Sequence, residues 1–123
     1  WYGSQNKYQQ PFLFLSNSTK SQDDFIMCFG HTHKPYHRIL NSMQEGQNHF
    51  RHAVNIGSVG KPKDGNPQGG YVMLTLNDNS SILDKDSIQV EFIRFDYDVE
   101  KAAKAVEDSR LPNAYAESLR NGI

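Results

Sequence analysis

The chain has 123 residues, 37 % of them hydrophobic, with a mean hydropathy of −0.71; this allows one domain with a small core. Thirteen basic side chains against fourteen acidic ones, net −1, exclude a dedicated nucleic-acid or anionic-membrane surface, which needs a basic face. No run approaches the ~18 to 20 apolar residues of a membrane span, no leader pattern is visible, and the single Cys28 excludes an internal disulfide framework and fits a reducing, cytoplasmic compartment.

Residues 1–24 are polar and irregular and read as a connecting segment, interrupted only by Pro11-Phe12-Leu13-Phe14-Leu15. Trp1 in place of Met is expected of a piece of something longer. From residue 25 to 123 the pattern sharpens into domain structure. Phe25-Ile26-Met27-Cys28-Phe29 is continuously apolar, which predicts a strand buried on both faces, with Cys28 a small core residue. Gly30 ends it, and Pro35 excludes a helix just beyond. Tyr36 to Asn41 and His49 to Ile56 read as strands around turn chemistry at Gln44 to Asn48. A Gly-, Pro- and Lys-rich loop runs from Gly57 to Gly70. Strands follow at Tyr71 to Leu76 and Ile88 to Tyr97, separated by a polar turn.

The last quarter changes period. Val99, Ala102, Ala103 and Val106 recur at helical spacing behind a plausible N-cap, Asp98. Glu100 and Lys104 make an i,i+4 pair. Leu111-Pro112 ends that helix. Asn113 caps a second one carrying Tyr115 and Leu119 as packing residues, stopped at Asn121-Gly122. Strands first and helices last predict an α+β fold.

Two segments carry candidate chemistry. His31 and His33 stand at i and i+2 just past a strand end, so an extended backbone would point them to one side. Neutral imidazole is a favoured ligand for Mn, Fe, Co, Ni and Zn, but such a centre wants at least three protein ligands. On spacing alone the pair reads equally as a polar strand end. The second segment, Asn55-Ile56-Gly57-Ser58-Val59-Gly60-Lys61-Pro62, could present backbone N–H groups to an anion. It is not a P-loop, because Pro62 follows Lys61 where that pattern needs Ser or Thr. Alone it reads as a flexible connection.

Together, Gly30-His31-Thr32-His33-Lys34-Pro35-Tyr36, Asn55-Ile56-Gly57-Ser58-Val59-Gly60 and Tyr97-Asp98-Val99-Glu100 resemble, in order and spacing, the C-terminal half of the calcineurin-like metallophosphoesterases. More narrowly they resemble the small bacterial and archaeal phosphodiesterase branch. The first segment is similar to the family's last metal motif, Gly-His-x-His, and the second to its Asn-Pro-Gly-Ser loop. The resemblance implies a β-sandwich flanked by helices. It also implies two divalent metals, with manganese expected and iron, zinc, nickel or cobalt as substitutes. A metal-bridging hydroxide would hydrolyse phosphate esters, expected to be diesters. It assigns His31 to one metal and His33 to the other, and Asn55, Gly57 and Ser58 to the phosphate-side loop. No catalytic acid or base is assigned.

The family's earlier motifs, Asp-x-His, Gly-Asp, Gly-Asn-His and a lone His, have no counterpart here, and Asp23-Asp24 is no substitute. Ile56 replaces the loop proline, and Lys63 stands where arginine is common. The expected partners are therefore a phosphate-ester substrate and the missing N-terminal half of the domain, and the chain alone is expected to be inactive. Without that half, Phe25–Phe29 is expected to expose apolar edge surface and favour association. The alternative is a non-catalytic scaffold subunit of the same fold. A third reading, a small metal-binding domain, would add His37 to His31 and His33. His37 otherwise reads as a polar strand residue, and His49 and His52 fall on opposite faces of their strand, which excludes a shared metal.

Overall fold

The structure, a computed structural model, describes residues 24–123. The connecting segment expected over 1–24 lies, but for Asp24, outside the described residues. Among the described residues five strands precede two helices: β1 (Ile26–Phe29), β2 (Tyr36–Gln44), β3 (Gln47–Asn55), β4 (Gly69–Thr75), β5 (Gln89–Phe95), α1 (Val99–Glu107) and α2 (Ala114–Asn121). The strands form a three-stranded sheet of order β1-β3-β2 and a two-stranded sheet β4-β5. This is the α+β arrangement that the order of periodicities predicts. The described residues divide into two compact units. One holds the segment up to Phe29, His37–Val54 and Leu74–Val90; the other holds Gly30–Tyr36, Asn55–Met73 and Glu91–Ile123.

In the first unit the strand buried on both faces is not the one expected. Among the described residues β1 has one neighbour, β3. None of Phe25 to Phe29 is fully buried, and Cys28 is exposed. Among the described residues β1 is thus an edge strand with exposed apolar surface, which is what is expected of it without the N-terminal half, while Cys28, expected in the core, is exposed. The central strand is β3, whose residues Arg51 to Asn55 are all buried despite their mixed polarity. Its Ala53 packs with Leu40 of β2, against Met27 and Phe29 of β1. Positive φ at Glu45 (50°) and Gly46 (78°) makes the β2–β3 connection a two-residue turn that follows the strand twist.

Burial on β3 is satisfied unevenly. Arg51 Nη1 donates to Ser42 Oγ at 3.2 Å, while Arg51 Nε finds no partner among the described residues. His52, with no exposed surface, lies stacked on His37 of β2, ring centroids 5.2 Å apart. His37 Nε2 and His52 Nδ1 share a hydrogen bond of 2.9 Å. The Phe25 ring meets His52 edge-on at 6.3 Å.

In the second unit, α1 begins as predicted: Asp98 Oδ1 accepts from the Lys101 N–H at 2.9 Å. Helix α2 ends as predicted, at Gly122 in the left-handed conformation (φ 66°), which only glycine adopts without strain. Asn113 does not cap α2 with its side chain. Arg120 of α2 donates to Glu100 (2.6 and 2.9 Å) and Glu107 (2.7 Å) of α1 and to Glu117 (2.7 Å). Glu100 thus bonds Arg120, not Lys104, and that hydrogen bond holds its carboxyl below the usual range. Ala103, Ala116 and Leu119 form the buried seam. Tyr115, expected in it, is 45 % exposed, and the Lys61 ammonium sits 4.4 Å from its ring centroid, a cation–π contact.

The β4–β5 ribbon keeps Tyr71, Met73, Phe92 and Phe95 between 37 and 49 % exposed. A two-stranded ribbon has too little surface to bury such side chains by itself.

Candidate metal centre

Both candidate segments fall in the second unit. His31-Thr32-His33 is not extended, as the same-side argument assumed. It is a bend in which His31 (φ 77°) and His33 (φ 60°) both adopt left-handed backbone. The Thr32 N–H donates back to the Gly30 carbonyl at 3.0 Å, closing a three-residue turn of the rare, strained kind with positive φ at its centre. Left-handed non-glycine residues cost about 1–3 kcal/mol each and gather where function over-determines the backbone.

The bend is tied to the loop that follows β3. His33 Nδ1 lies 2.8 Å from the Lys61 carbonyl. A carbonyl can only accept, so Nδ1 carries a proton, and in the neutral ring Nε2 bears the lone pair. The Lys63 N–H donates to the His33 carbonyl at 3.0 Å. Asn55, fully buried, donates from Nδ2 to Thr32 Oγ1 at 2.7 Å and to the Gly30 carbonyl at 3.3 Å. Its Oδ1 accepts from the Gly57 N–H at 2.9 Å. Gly57 itself (φ 76°) passes so close to Pro35 that a Cβ would stand 3.2 Å from that ring. Ser58 Oγ accepts from the Lys61 N–H at 3.0 Å, which leaves its O–H free to donate. Farther along the loop, Asp64 pairs with Arg94.

Hydrogen bonds thus join His33, Asn55, Gly57 and, through Lys61, Ser58, with His31 carried on the same bend. His31 is exposed and His33 half-buried. An imidazole whose Nδ1–H is held by a carbonyl is the arrangement in which Nε2 ligates a metal, so the donor set fits a divalent transition metal. It is incomplete, however: among the described residues no group of three or more His, Cys, Asp or Glu side chains gathers to hold an ion. His37 and His52 belong to the other unit and bond each other, a pairing that the sequence reading missed. Ile56, in place of the loop proline, is 45 % exposed and borders an open groove of about 350 Å³ with Val59, Tyr71 and Val72. Among the described residues no helix is long and apolar enough to cross a membrane.

No protein-family model matches the chain. It is 30 % identical to an uncharacterized protein of Methanocaldococcus jannaschii, in a match covering 76 % of this chain and 38 % of that protein. A crystal structure of a metallophosphoesterase from Sphaerobacter thermophilus matches with a TM-score of 0.59 and 22 % identity, over 80 % of this chain and 42 % of that one. The chain therefore spans about two-fifths of the length of these two proteins. Its fold is that of part of this metallophosphoesterase structure.

Proposed function

We propose that this chain supplies one side of a two-metal centre that hydrolyses phosphate esters, with diesters the expected class and manganese the expected metal. The observation that carries the reading is the strained Gly30–His33 bend hydrogen-bonded to the Asn55–Lys63 loop. A fold shared with a metallophosphoesterase supports it. Two divalent metals, when bound, neutralise charge on the phosphoryl oxygens and supply an activated water. His31 and His33 would each hold one of them. The Lys61 carbonyl fixes the His33 tautomer and ring direction. Ser58, with its O–H free to donate, would bind a phosphate oxygen, and Gly57 keeps the backbone beside it close and narrow. The remaining ligands would come from the N-terminal half of the domain, in a cytoplasmic protein of which residues 25–123 form the C-terminal part.

The test is hydrolysis of bis(4-nitrophenyl) phosphate across a Mn²⁺ titration, on this chain and on the full reading frame that encodes it. The expected result is no turnover above background for the chain and metal-dependent turnover for the full product. Turnover by the chain would mean that its centre is complete. An inactive full product that lacks further ligands would favour the second reading, a scaffold subunit of the same fold.

A further inference from the structure

Asn55 closes β3 and has no exposed surface. Both ends of its carboxamide are engaged within the second unit. The amide nitrogen bonds the residues on either side of His31, through the Gly30 carbonyl (3.3 Å) and Thr32 Oγ1 (2.7 Å). The oxygen accepts from the Gly57 N–H (2.9 Å). Between the two bracketed residues stands His31 at φ 77°, followed by His33 at φ 60°. Both conformations are uncommon for a residue other than glycine and carry a cost. Something must hold the backbone there, and Asn55 makes the side-chain bonds that bracket it.

We propose that Asn55 is a positioning residue: its carboxamide holds the Gly30–His33 bend in the left-handed conformation that aims the His31 and His33 imidazoles. The assignment rests on the reading of those two histidines as metal ligands. Asn55 acts through the bend and not on phosphate, because its polar atoms are buried and already bonded. Asparagine is required for a simple reason. One end must donate, to Gly30 and Thr32, while the other accepts, from Gly57. Aspartate keeps the acceptor but turns a lone pair toward the Gly30 carbonyl.

The experiment uses the full chain, labelled with ¹⁵N, with Asn55→Asp and Thr32→Val as variants. Thr32 is exposed, so its substitution removes one bond of the clamp without touching a core. The first readout is the intraresidue amide–Hα NOE, which is strong only at positive φ. The second is the response of the histidine ring resonances to Co²⁺. The unsubstituted chain should show strong NOEs at His31 and His33. In Asn55→Asp both should fall to the level of ordinary residues, and Co²⁺ should bind the two rings about tenfold or more weakly, the scale of lost outer-sphere support. Thr32→Val should move both readouts the same way by less. The His37 and His52 rings, in the other unit, should not move.

Unchanged NOEs with Co²⁺ affinity within twofold of the unsubstituted chain would overturn the assignment. If Asn55→Asp unfolds, seen as collapse of the His37 and His52 signals, the same criteria apply to Thr32→Val. If His31 and His33 ignore Co²⁺ even without substitution, the metal reading fails, and the NOEs alone decide whether Asn55 holds the bend.

Discussion

In the full reading frame, His33→Ala is expected to lower Mn²⁺-dependent phosphodiester hydrolysis by more than about 100-fold. Losing a group that merely orients a ligand costs 10- to 100-fold, and His33 is the proposed ligand itself. Its ring is fixed from behind by the Lys61 carbonyl at 2.8 Å and its own carbonyl is held by the Lys63 N–H. A glutamine there could not reproduce a neutral imidazole that donates at one nitrogen and ligates with the other, so His33→Gln should not rescue. The substitution should leave the fold intact, since His33 is half-buried and contributes no core volume. Alanine also relieves none of the backbone demand at φ 60°, so raising Mn²⁺ should restore activity only in part. Hydrolysis within threefold of the unsubstituted protein at all Mn²⁺ concentrations would remove His33 from the centre.

The second large effect is on stability in acid. His52 is fully buried on the central strand. Burial, together with the stacked His37, pushes its ring down to about 4 from the ordinary 6.5, against a smaller upward pull from Asp86. Burial lowers His37 as well. Both folded-state values lie below the unfolded one, so the unfolded chain takes up protons first as pH falls. The stability is fully present above about pH 6.5 and is lost as pH drops toward about 4. Each unit of depression is worth about 1.4 kcal/mol, so acidification to pH 4 should cost on the order of 2–3 kcal/mol. The shared hydrogen bond sharpens this, because two protonated rings cannot bond one another. Of the two tautomers, the one with His52 Nδ1 donating leaves a bare lone pair at the buried Nε2, which has no partner among the described residues, and so strands an acceptor and not a donor. His52→Phe keeps an aromatic ring of similar size beside Phe25 and should flatten the acid limb. Urea unfolding between pH 7.5 and 4.5 measures it, and an equally steep limb in His52→Phe would locate the titrating group elsewhere.

The helix ends were legible because they obey local rules: an aspartate side chain bonds the first turn of α1, and a left-handed glycine ends α2. Strand positions followed from apolar runs and turn residues for the same reason. Burial was not legible. The five apolar residues Phe25 to Phe29 look more central than Arg51-His52-Ala53-Val54-Asn55, yet among the described residues β3 is the central strand and β1 lies exposed beside it, as expected of a chain without the N-terminal half. Sheet order is a long-range property that hydropathy along one strand does not encode. The His37–His52 pair had a signal that went unused. A two-residue turn at Glu45–Gly46 sets His37 diagonal to His52 on one face of the hairpin, within aromatic reach. The two candidate segments stood out through motif resemblance, but their geometry did not. Spacing suggested an extended His31–His33 pair, whereas the bend depends on hydrogen bonds from Asn55, Lys61 and Lys63, 25 or more residues away in several cases. Such contacts exist only once the chain has folded.

The central claim is that this chain carries two metal-ligating histidines of an otherwise incomplete centre. Its most direct test is a Mn²⁺ titration of the chain, followed by paramagnetic broadening of the five histidine ring resonances. His31 and His33 are expected to broaden together, weakly and ahead of the rest, while His37, His49 and His52 stay sharp. Broadening that begins at His37 and His52, or that spreads evenly over all five rings, would contradict it.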